Sequence, residues 1–98
     1  MTCGKYMIKN KKTGQIYIGQ SINIERRWNF HYNNKKSYID RAINKYGVDN
    51  FIFKIIEELP KDSLLLNERE KYWIKFYNTI VDKGGYNLTE GGDSNSIR

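Results

Sequence analysis

The sequence has little of what small proteins commonly use as cross-links or anchors. Cys3 is the single cysteine, which excludes a disulfide within the chain and a zinc site made of several thiolates. No apolar stretch approaches the roughly 20 residues that a membrane-spanning helix needs, and a secretory signal pattern is absent. We therefore expect an intracellular, cytoplasmic protein with no membrane partner.

Base-reading modules and internal repeats are also absent. No helix-turn-helix, zinc finger or RNP aromatic motif is recognisable, and no linker divides the 98 residues. A chain of this length forms one domain with a modest core. We assign residues 1–92 to that domain and residues 93–98 to a flexible C-terminal tail.

Positive charge and tyrosine are abundant. The chain has 17 Lys+Arg against 11 Asp+Glu, which gives a net charge of +6, and tyrosine alone accounts for eight residues. Such a balance is typical of proteins that bind nucleic acid. A basic surface that binds nothing is the alternative, because the lysines are dispersed and form no long run.

The N-terminal stretch predicts a β-hairpin. Residues 5–10 alternate so that Tyr6 and Ile8 share one face and Met7 the other, and residues 16–19 resume this pattern after a turn containing Gly14. Tyr6 and Tyr17 should lie on neighbouring strands of one sheet. Whether they share a face depends on the register, which the sequence fixes only loosely.

A helix should follow the hairpin, with Ser21 or Asn23 as its cap. Ile24, Arg27, Trp28 and His31 then lie on one stripe, since they are spaced at i, i+3, i+4 and i+7. The remaining pattern predicts a helix over 38–46 that ends at Gly47, a strand over 51–56, a helix from 63 to about 78, and a loop with one short extended piece over 84–92.

The helix from residue 63 carries a charged residue on its apolar side. Glu70 falls on the stripe of Leu66 and Trp73, whereas other charged residues of the helix face the opposite way. Burying a carboxylate without a partner costs several kcal/mol, so Glu70 needs a cation, a metal ion or a cleft beside it. A structural ion pair with Arg69 or Arg27 is one alternative. A Mg²⁺ site is the other, because this ion needs only one or two carboxylates.

Several sequence blocks together resemble one known family. The blocks are Gly4-Lys5-Tyr6, Tyr17-Ile18-Gly19, residues 25–31 around Arg27 and His31, residues 42–47, residues 68–73 around Glu70, and Gly85-Tyr86-Asn87. In this order and spacing they resemble the GIY-YIG nuclease superfamily, and the similarity is greatest to the catalytic domains of phage-type homing endonucleases. It covers almost the whole chain.

The resemblance implies an α+β fold in which a small three-stranded antiparallel sheet is flanked by about three helices. It also implies a metal-dependent endonuclease that hydrolyses phosphodiester bonds of double-stranded DNA with weak sequence preference and uses one Mg²⁺ or Mn²⁺. The catalytic residues would be Tyr6, Tyr17, Arg27, His31, Glu70 and Asn87, with Glu70 as the metal ligand. Further substrate contacts are expected at Gly19, Arg26 and Lys36.

Each of these side chains suits a step of phosphodiester hydrolysis. Arg27 would clamp a phosphate, Tyr17 would orient a phosphate oxygen or the water, and Asn87 would fix Glu70 or a metal-bound water. Tyr6 would deprotonate the water, as the resemblance suggests. A tyrosine pKa near ~10 leaves little phenolate at neutral pH, so the pKa must be lowered or the proton relayed to His31. The sequence leaves both routes open.

The chain departs from the family pattern in two places. Lys5 stands where the family name has isoleucine, on a position that alternates away from Tyr6. Some homing relatives place a second histidine between the first two helices, where this chain offers only Asn34, Ser37 and Asp40, and we leave that role unassigned.

The biological setting stays open in the sequence. A C-terminal DNA-recognition region of the homing type is missing, so the chain is either a stand-alone nuclease or a fragment, and it could act as a dimer on DNA. Alternatives are a repair or restriction nuclease of the same superfamily, a nucleic-acid-binding module without catalysis, and a protein-interaction domain.

Overall fold

The computed structural model describes residues 2–33, 37–80 and 84–87. In chain order the elements are β1 (Gly4–Asn10), β2 (Ile16–Ser21), α1 (Ile24–Asn33), α2 (Tyr38–Tyr46), a single 3₁₀ turn (Val48–Asn50), β3 (Phe51–Glu58) and α3 (Ser63–Tyr77). The predicted α+β class is confirmed. The predicted tail, residues 93–98, and the domain boundary at residue 92 lie outside the described residues.

The three strands form one antiparallel sheet in the order β2-β1-β3. Tyr6 of β1 is opposite Gly19 of β2, and Ile8 is opposite Tyr17. Because side chains alternate between the faces of a strand, this register places Tyr6 and Tyr17 on the same face. The prediction that they lie on neighbouring strands is confirmed, and the register settles which face they share.

Helices cover both faces of the sheet, and each face has its own core. We call the face covered by α1 and α2 the helix-pair face; its buried apolar cluster comprises Tyr6, Ile8, Ile24, Ile39, Ala42, Ile43, Phe51 and Tyr86. We call the opposite face the α3 face; its cluster comprises Met7, Ile18 and Ile74. The predicted alternation of β1, with Tyr6 and Ile8 opposed to Met7, is confirmed.

Local caps fix where the helices begin and end. α2 begins after Ser37, whose side chain accepts a hydrogen bond from the backbone N–H of Asp40 at 3.2 Å, and it ends at Gly47. α3 begins after Asp62, whose carboxylate accepts two N–H groups of the first turn, and ends at Asn78 in the left-handed conformation. These caps set the phase of each helix and therefore which side chains face the sheet.

The segment 84–87 closes the hairpin end of the sheet. The backbone N–H of Tyr86 donates to the carbonyl of Ile16 at 3.0 Å, and the Tyr86 hydroxyl accepts from Asn10 Nδ2 at 3.0 Å. Asn87 pairs with Ile80 in an isolated parallel bridge. The Asn87 side chain is thereby held against β2. None of the helices in the described ranges is long and apolar enough to span a membrane.

Candidate active site

Tyr6 lies at the centre of the sheet, and its position depends on a glycine. Its side chain is fully buried and passes over Gly19 on the neighbouring strand. A Cβ at residue 19 would lie 2.5 Å from the Tyr6 hydroxyl oxygen, closer than non-bonded atoms approach. Gly4 is constrained in the same way, because a Cβ there would overlap the backbone carbonyl of Glu57. The glycines of both sequence motifs are therefore required by steric contact.

Tyr6, His31 and Asp40 form a buried chain of hydrogen bonds. The Tyr6 hydroxyl lies 2.8 Å from His31 Nε2, and His31 Nδ1 contacts a carboxylate oxygen of Asp40. All three side chains are at most 1% exposed. An ionised carboxylate can only accept, so it holds the hydrogen of a neutral imidazole on Nδ1, and Nε2 is left to accept from Tyr6.

Asp40 is the member of this chain that sequence reasoning did not assign. The candidates for a missing second histidine included it, but no role was given to it. A signal was present, since Asp40 follows Ile39 and precedes Ile43 by three residues, at the edge of the apolar stripe of α2. Its second carboxylate oxygen is buried and has no hydrogen-bond partner among the residues that the structure describes.

Tyr17 and Arg27 complete the cluster on the helix-pair face. The Tyr17 ring centroid is 6.2 Å from that of Tyr6 and 5.8 Å from that of His31. Burial raises the pKa of both tyrosines, while the neighbouring Arg27 guanidinium opposes this shift. The prediction that α1 directs Arg27 and His31 toward the sheet agrees with this arrangement. The guanidinium also lies 4.8 Å from the ring centroid of Phe30.

Glu70 lies on the α3 face, buried in the apolar stripe as the sequence predicts. It is 5% exposed, and Leu66 and Ile74 are buried on the same side of α3. Burial is the largest influence on two nearby groups: it raises the pKa of Tyr17 and lowers the pKa of Lys5. The negative charge of Glu70 raises the pKa of both. The charge of this carboxylate therefore reaches Tyr17.

One of the two ion-pair partners considered for Glu70 is occupied elsewhere. Arg69 Nε donates to Glu57 Oε1 at 2.8 Å, and the indole N–H of Trp73 donates to the same oxygen at 2.9 Å. The Arg69 guanidinium also covers the Tyr72 ring at 4.2 Å. Arg69 thus belongs to a contact between α3 and β3.

The donor set suits a divalent ion held mainly by solvent and substrate. Within residues 2–33, 37–80 and 84–87, no three His, Cys, Asp or Glu side chains gather into a metal cage. Mg²⁺ needs no such cage, because it retains several waters and commonly binds one or two carboxylates together with substrate phosphate. A single, mostly buried Glu70 whose charge reaches Tyr17 fits that requirement.

The side chain of Asn87 forms hydrogen bonds with the backbone of β2. Its side-chain oxygen accepts from the N–H of Ile18 at 2.8 Å and from Thr79 Oγ1 at 2.8 Å, and its Nδ2 donates to the carbonyl of Ile18 at 2.9 Å. Of the expected substrate contacts, Arg26 is exposed on α1 and Gly19 underlies Tyr6, while Lys36 lies outside the described residues.

The described residues thus combine a small antiparallel sheet, a fully buried Tyr6 and a partly buried Tyr17 beside Arg27, and a carboxylate from a separate helix. The family model described as the GIY-YIG catalytic domain matches residues 2–87. The chain belongs to the GIY-YIG family, and the resemblance read from its sequence motifs is confirmed.

Individual relatives agree with this membership. Intron-associated endonuclease 1 of Enterobacteria phage T4 is 34% identical over 96 residues, covering 92% of this chain and 38% of the relative. Probable intron-encoded endonuclease 1 of Neurospora crassa is 37% identical over 68 residues, covering 67% of this chain and 22% of the relative. The chain thus spans well under half the length of these curated relatives.

A solved structure shows the same fold. The catalytic domain of intron endonuclease I-TevI, solved as a mutant, superposes with a TM-score of 0.81 at 33% identity and covers 93% of this chain and 97% of that domain. The prediction of an endonuclease catalytic domain is confirmed at the level of the family.

Proposed function

We propose that this chain is a homing-type endonuclease domain that hydrolyses phosphodiester bonds of double-stranded DNA with one Mg²⁺ or Mn²⁺. The observation that carries the proposal is the hydrogen-bond chain from Tyr6 through His31 to Asp40 beside Arg27. A module that only binds DNA needs positive charge but has no use for a buried acceptor chain that ends in a carboxylate.

The hydrogen bonds from Tyr6 to His31 and from His31 to Asp40 favour a proton relay over a free tyrosine base. Burial raises the pKa of Tyr6 well above its usual value, so a stable Tyr6 phenolate is disfavoured at neutral pH. His31 Nε2 can accept the Tyr6 proton as Tyr6 receives one from the attacking water, and Asp40 stabilises the imidazolium that forms. Tyr17 is only partly buried, whereas Tyr6 is fully buried, so Tyr17 lies on the solvent side of the pair and orients the water.

Arg27 and Glu70 would provide the electrostatic part of catalysis. The planar guanidinium of Arg27 suits two non-bridging oxygens of the scissile phosphate. Glu70 would hold the divalent ion, which supplies Lewis acidity toward the phosphate and the leaving oxygen. Asn87 acts as a positioning residue by fixing β2, the strand that carries Tyr17.

The proposed substrate binding is electrostatic and largely independent of base sequence. A net charge of +6 favours phosphate contacts, to which the exposed Arg26 and Lys36 are expected to contribute. Target selection would then come from a C-terminal recognition region or from a second copy of the chain on DNA. We place the protein inside the cell, where its DNA substrate is.

Nicking of supercoiled plasmid tests the proposal. With Mg²⁺, we expect nicking by the wild-type chain and none in EDTA. Tyr6→Phe should lower the rate by about 10²- to 10⁴-fold, the usual contribution of a proton-transfer group. Arg27→Ala and Glu70→Gln should lower it severely as well. Tyr72→Phe is the matched control, because Tyr72 is 47% exposed on α3 and its hydroxyl should be dispensable.

A gel shift in EDTA separates the alternatives. If the wild-type chain shifts DNA but never nicks it under any divalent ion, the chain is a binding module. If Tyr6→Phe, Arg27→Ala and Glu70→Gln all remain folded and nick at the wild-type rate, the proposed active site is wrong.

A further inference from the structure

Lys5 is a buried cation that the proposed mechanism does not use. It lies in β1, the central strand, and its side chain is fully buried. Being two residues before Met7, it points to the α3 face. Its Nζ has no hydrogen-bond partner among the described residues, although an ammonium carries three donors. Burying such a group without compensation is costly, so an opposite charge must offset it.

Two carboxylates lie near Lys5, but one of them already has partners. Glu57 is opposite Lys5 on β3 and accepts hydrogen bonds from Arg69 and Trp73. Glu70 is the strongest of the charges acting on Lys5. Glu70 is therefore the carboxylate that chiefly compensates Lys5. Lys5 Nζ makes no hydrogen bond among the described residues, so its attraction to Glu70 is Coulombic and acts over more than a hydrogen-bond length.

Packing does not explain why a lysine occupies this position. The family takes its name from an isoleucine here, flanked by the glycine and tyrosine that this chain retains as Gly4 and Tyr6. An apolar side chain would fill a fully buried position between strands without any charge compensation. The lysine adds a charge, and that charge interacts with the carboxylate expected to hold a divalent ion.

We propose that Lys5 is a resident cation that competes electrostatically with the divalent ion for Glu70 and thereby sets the affinity of the metal site. The inference rests on the proposed function in one respect, namely that Glu70 holds the ion. In the free protein, the Lys5 ammonium satisfies part of the Glu70 charge and repels an incoming divalent ion. Ion binding is therefore weak until DNA brings a phosphate, whose negative charge offsets the repulsion.

The consequence is coupling between ion and substrate. With Lys5 present, DNA phosphate is needed to complete a favourable site, so the ion and DNA bind more tightly together than separately. Without the ammonium, the ion should bind the free protein more tightly and depend less on DNA. The side chain of Lys5 is fully buried on the central strand, so its charge stays on the α3 face and this effect is a property of the fold.

Direct measurement of Mn²⁺ binding without DNA tests the proposal independently of activity. Isothermal titration calorimetry would compare the wild-type chain with Lys5→Met, which keeps the length of the side chain but removes its charge. We expect binding to tighten by at least about tenfold, because even in a water-like dielectric a unit charge and a divalent ion several ångströms apart repel by about that much, and burial of Lys5 strengthens the repulsion. Lys5→Ile, which introduces the residue of the family name, should tighten Mn²⁺ binding by a similar factor.

Two further variants control for charge and place. Lys9→Met removes a charge from the same strand and the same face, but from the half-buried opposite end, and should leave Mn²⁺ affinity unchanged. Lys5→Arg retains the charge and should stay close to wild type. Circular dichroism melts establish that each variant is folded before its affinity is compared.

Glu70→Gln distinguishes failure of this inference from failure of the proposed function. If Glu70→Gln abolishes Mn²⁺ binding while folded Lys5→Met and Lys5→Ile bind Mn²⁺ no more tightly than wild type, the role of Lys5 is overturned and the metal site stands. If Glu70→Gln binds Mn²⁺ as wild type does, the metal site itself is misplaced, and both proposals fail.

Discussion

The two faces of the sheet hold their polar groups by different means. On the helix-pair face, Tyr6, His31 and Asp40 are joined by directed hydrogen bonds. On the α3 face, Lys5 and Glu70 are buried near each other, and their coupling is electrostatic. Hydrogen bonds weaken steeply with distance and angle, whereas Coulomb attraction falls slowly. The helix-pair face therefore fixes the relative positions of its polar side chains. The α3 face holds a balance of charge that an added ion can change.

This difference predicts how each face responds to substitution. Small displacements on the helix-pair face should cause large losses of turnover, because proton transfer needs groups within hydrogen-bond reach. Changes of charge on the α3 face should instead alter ion affinity and the dependence of stability on pH.

The largest effect should come from adding one methyl group to the helix-pair face. In Gly19→Ala, the new Cβ would overlap the Tyr6 hydroxyl region and displace it from His31. A displacement near 1 Å costs on the order of 10²-fold in rate, so plasmid nicking should fall by at least about that factor. Single-turnover nicking rates, with a thermal melt for each protein, provide the measurement.

Gly14→Asn is the control for this prediction. Gly14 lies in the exposed hairpin turn with a positive φ that asparagine tolerates, and no atom lies within 4 Å of a Cβ there. Its nicking rate should match wild type. Wild-type nicking by a folded Gly19→Ala would show that the position of Tyr6 is not critical, and the contrast between the faces would lose its main support.

Asp40 should contribute the next largest effect, through His31. Asp40→Asn preserves shape but removes the charge that stabilises an imidazolium, so kcat should fall by about 10- to 10²-fold with KM little changed. The pH profile of kcat should also shift, which a purely structural role would not cause. Asp49→Asn, at an exposed site in the 3₁₀ turn, is the matched control.

An increase in KM with unchanged kcat and an unchanged pH profile would contradict this assignment. Asp40 would then act in packing α2 against α1, and a relay from Tyr6 would end at His31 without help from the carboxylate.

Local periodicity explains which parts of the molecule the sequence predicts. Alternation in β1 places Tyr6 and Met7 on opposite faces, and the stripe of α3 places Glu70 inside, because strand and helix periods act within one element. The bounds of α2, residues 38–46, are predicted for the same reason, with Gly47 as the terminator. Strand β3 extends two residues past its predicted end at residue 56.

Contacts between elements explain what the sequence leaves open. The bond from Asp40 to His31 depends on how α1 packs against α2, and nothing within either helix specifies that angle. The burial of Lys5 also depends on packing between elements. The alternation of β1 predicts which face of the sheet Lys5 lies on, but only the position of α3 shows that this face is covered. The site residues that sequence reasoning assigned carry motif spacing, whereas Asp40 and Lys5 are defined by tertiary packing.

Asn87 holds the edge strand β2 through its side chain, and its substitution should lower stability. In Asn87→Ala, the N–H and carbonyl of Ile18 lose their buried partners, as does the Thr79 hydroxyl. An unsatisfied buried polar group costs about 1–3 kcal/mol, so the free energy of unfolding should fall by at least about that amount in urea titrations. Thr79→Val leaves both bonds to Ile18 and should cost less. Equal stability of Asn87→Ala and wild type would mean that this amide does not hold β2.

The smallest effect should be a dependence of stability on pH that originates at Lys5. Burial lowers the pKa of Lys5 from 10.5 to about 8, against the opposing attraction of Glu70, Glu57 and Cys3. Between about pH 8 and 10.5 the unfolded chain thus binds more protons at this residue than the folded chain, so the contribution of Lys5 to stability rises with pH. From pH 8 to 9.5 the free energy of unfolding of wild type should gain about 1–2 kcal/mol relative to Lys5→Met.

Subtracting the two urea titrations isolates this contribution. Tyr6 and Tyr17 are present in both proteins, so their raised pKa values cancel in the difference, and a Cys3→Ser background removes the single thiol of the chain. A difference that does not change from pH 8 to 9.5 would show that Lys5 keeps an ordinary pKa. Its ammonium would then be fully compensated in the folded chain, and the α3 face would hold its charges as firmly as the helix-pair face holds its hydrogen bonds.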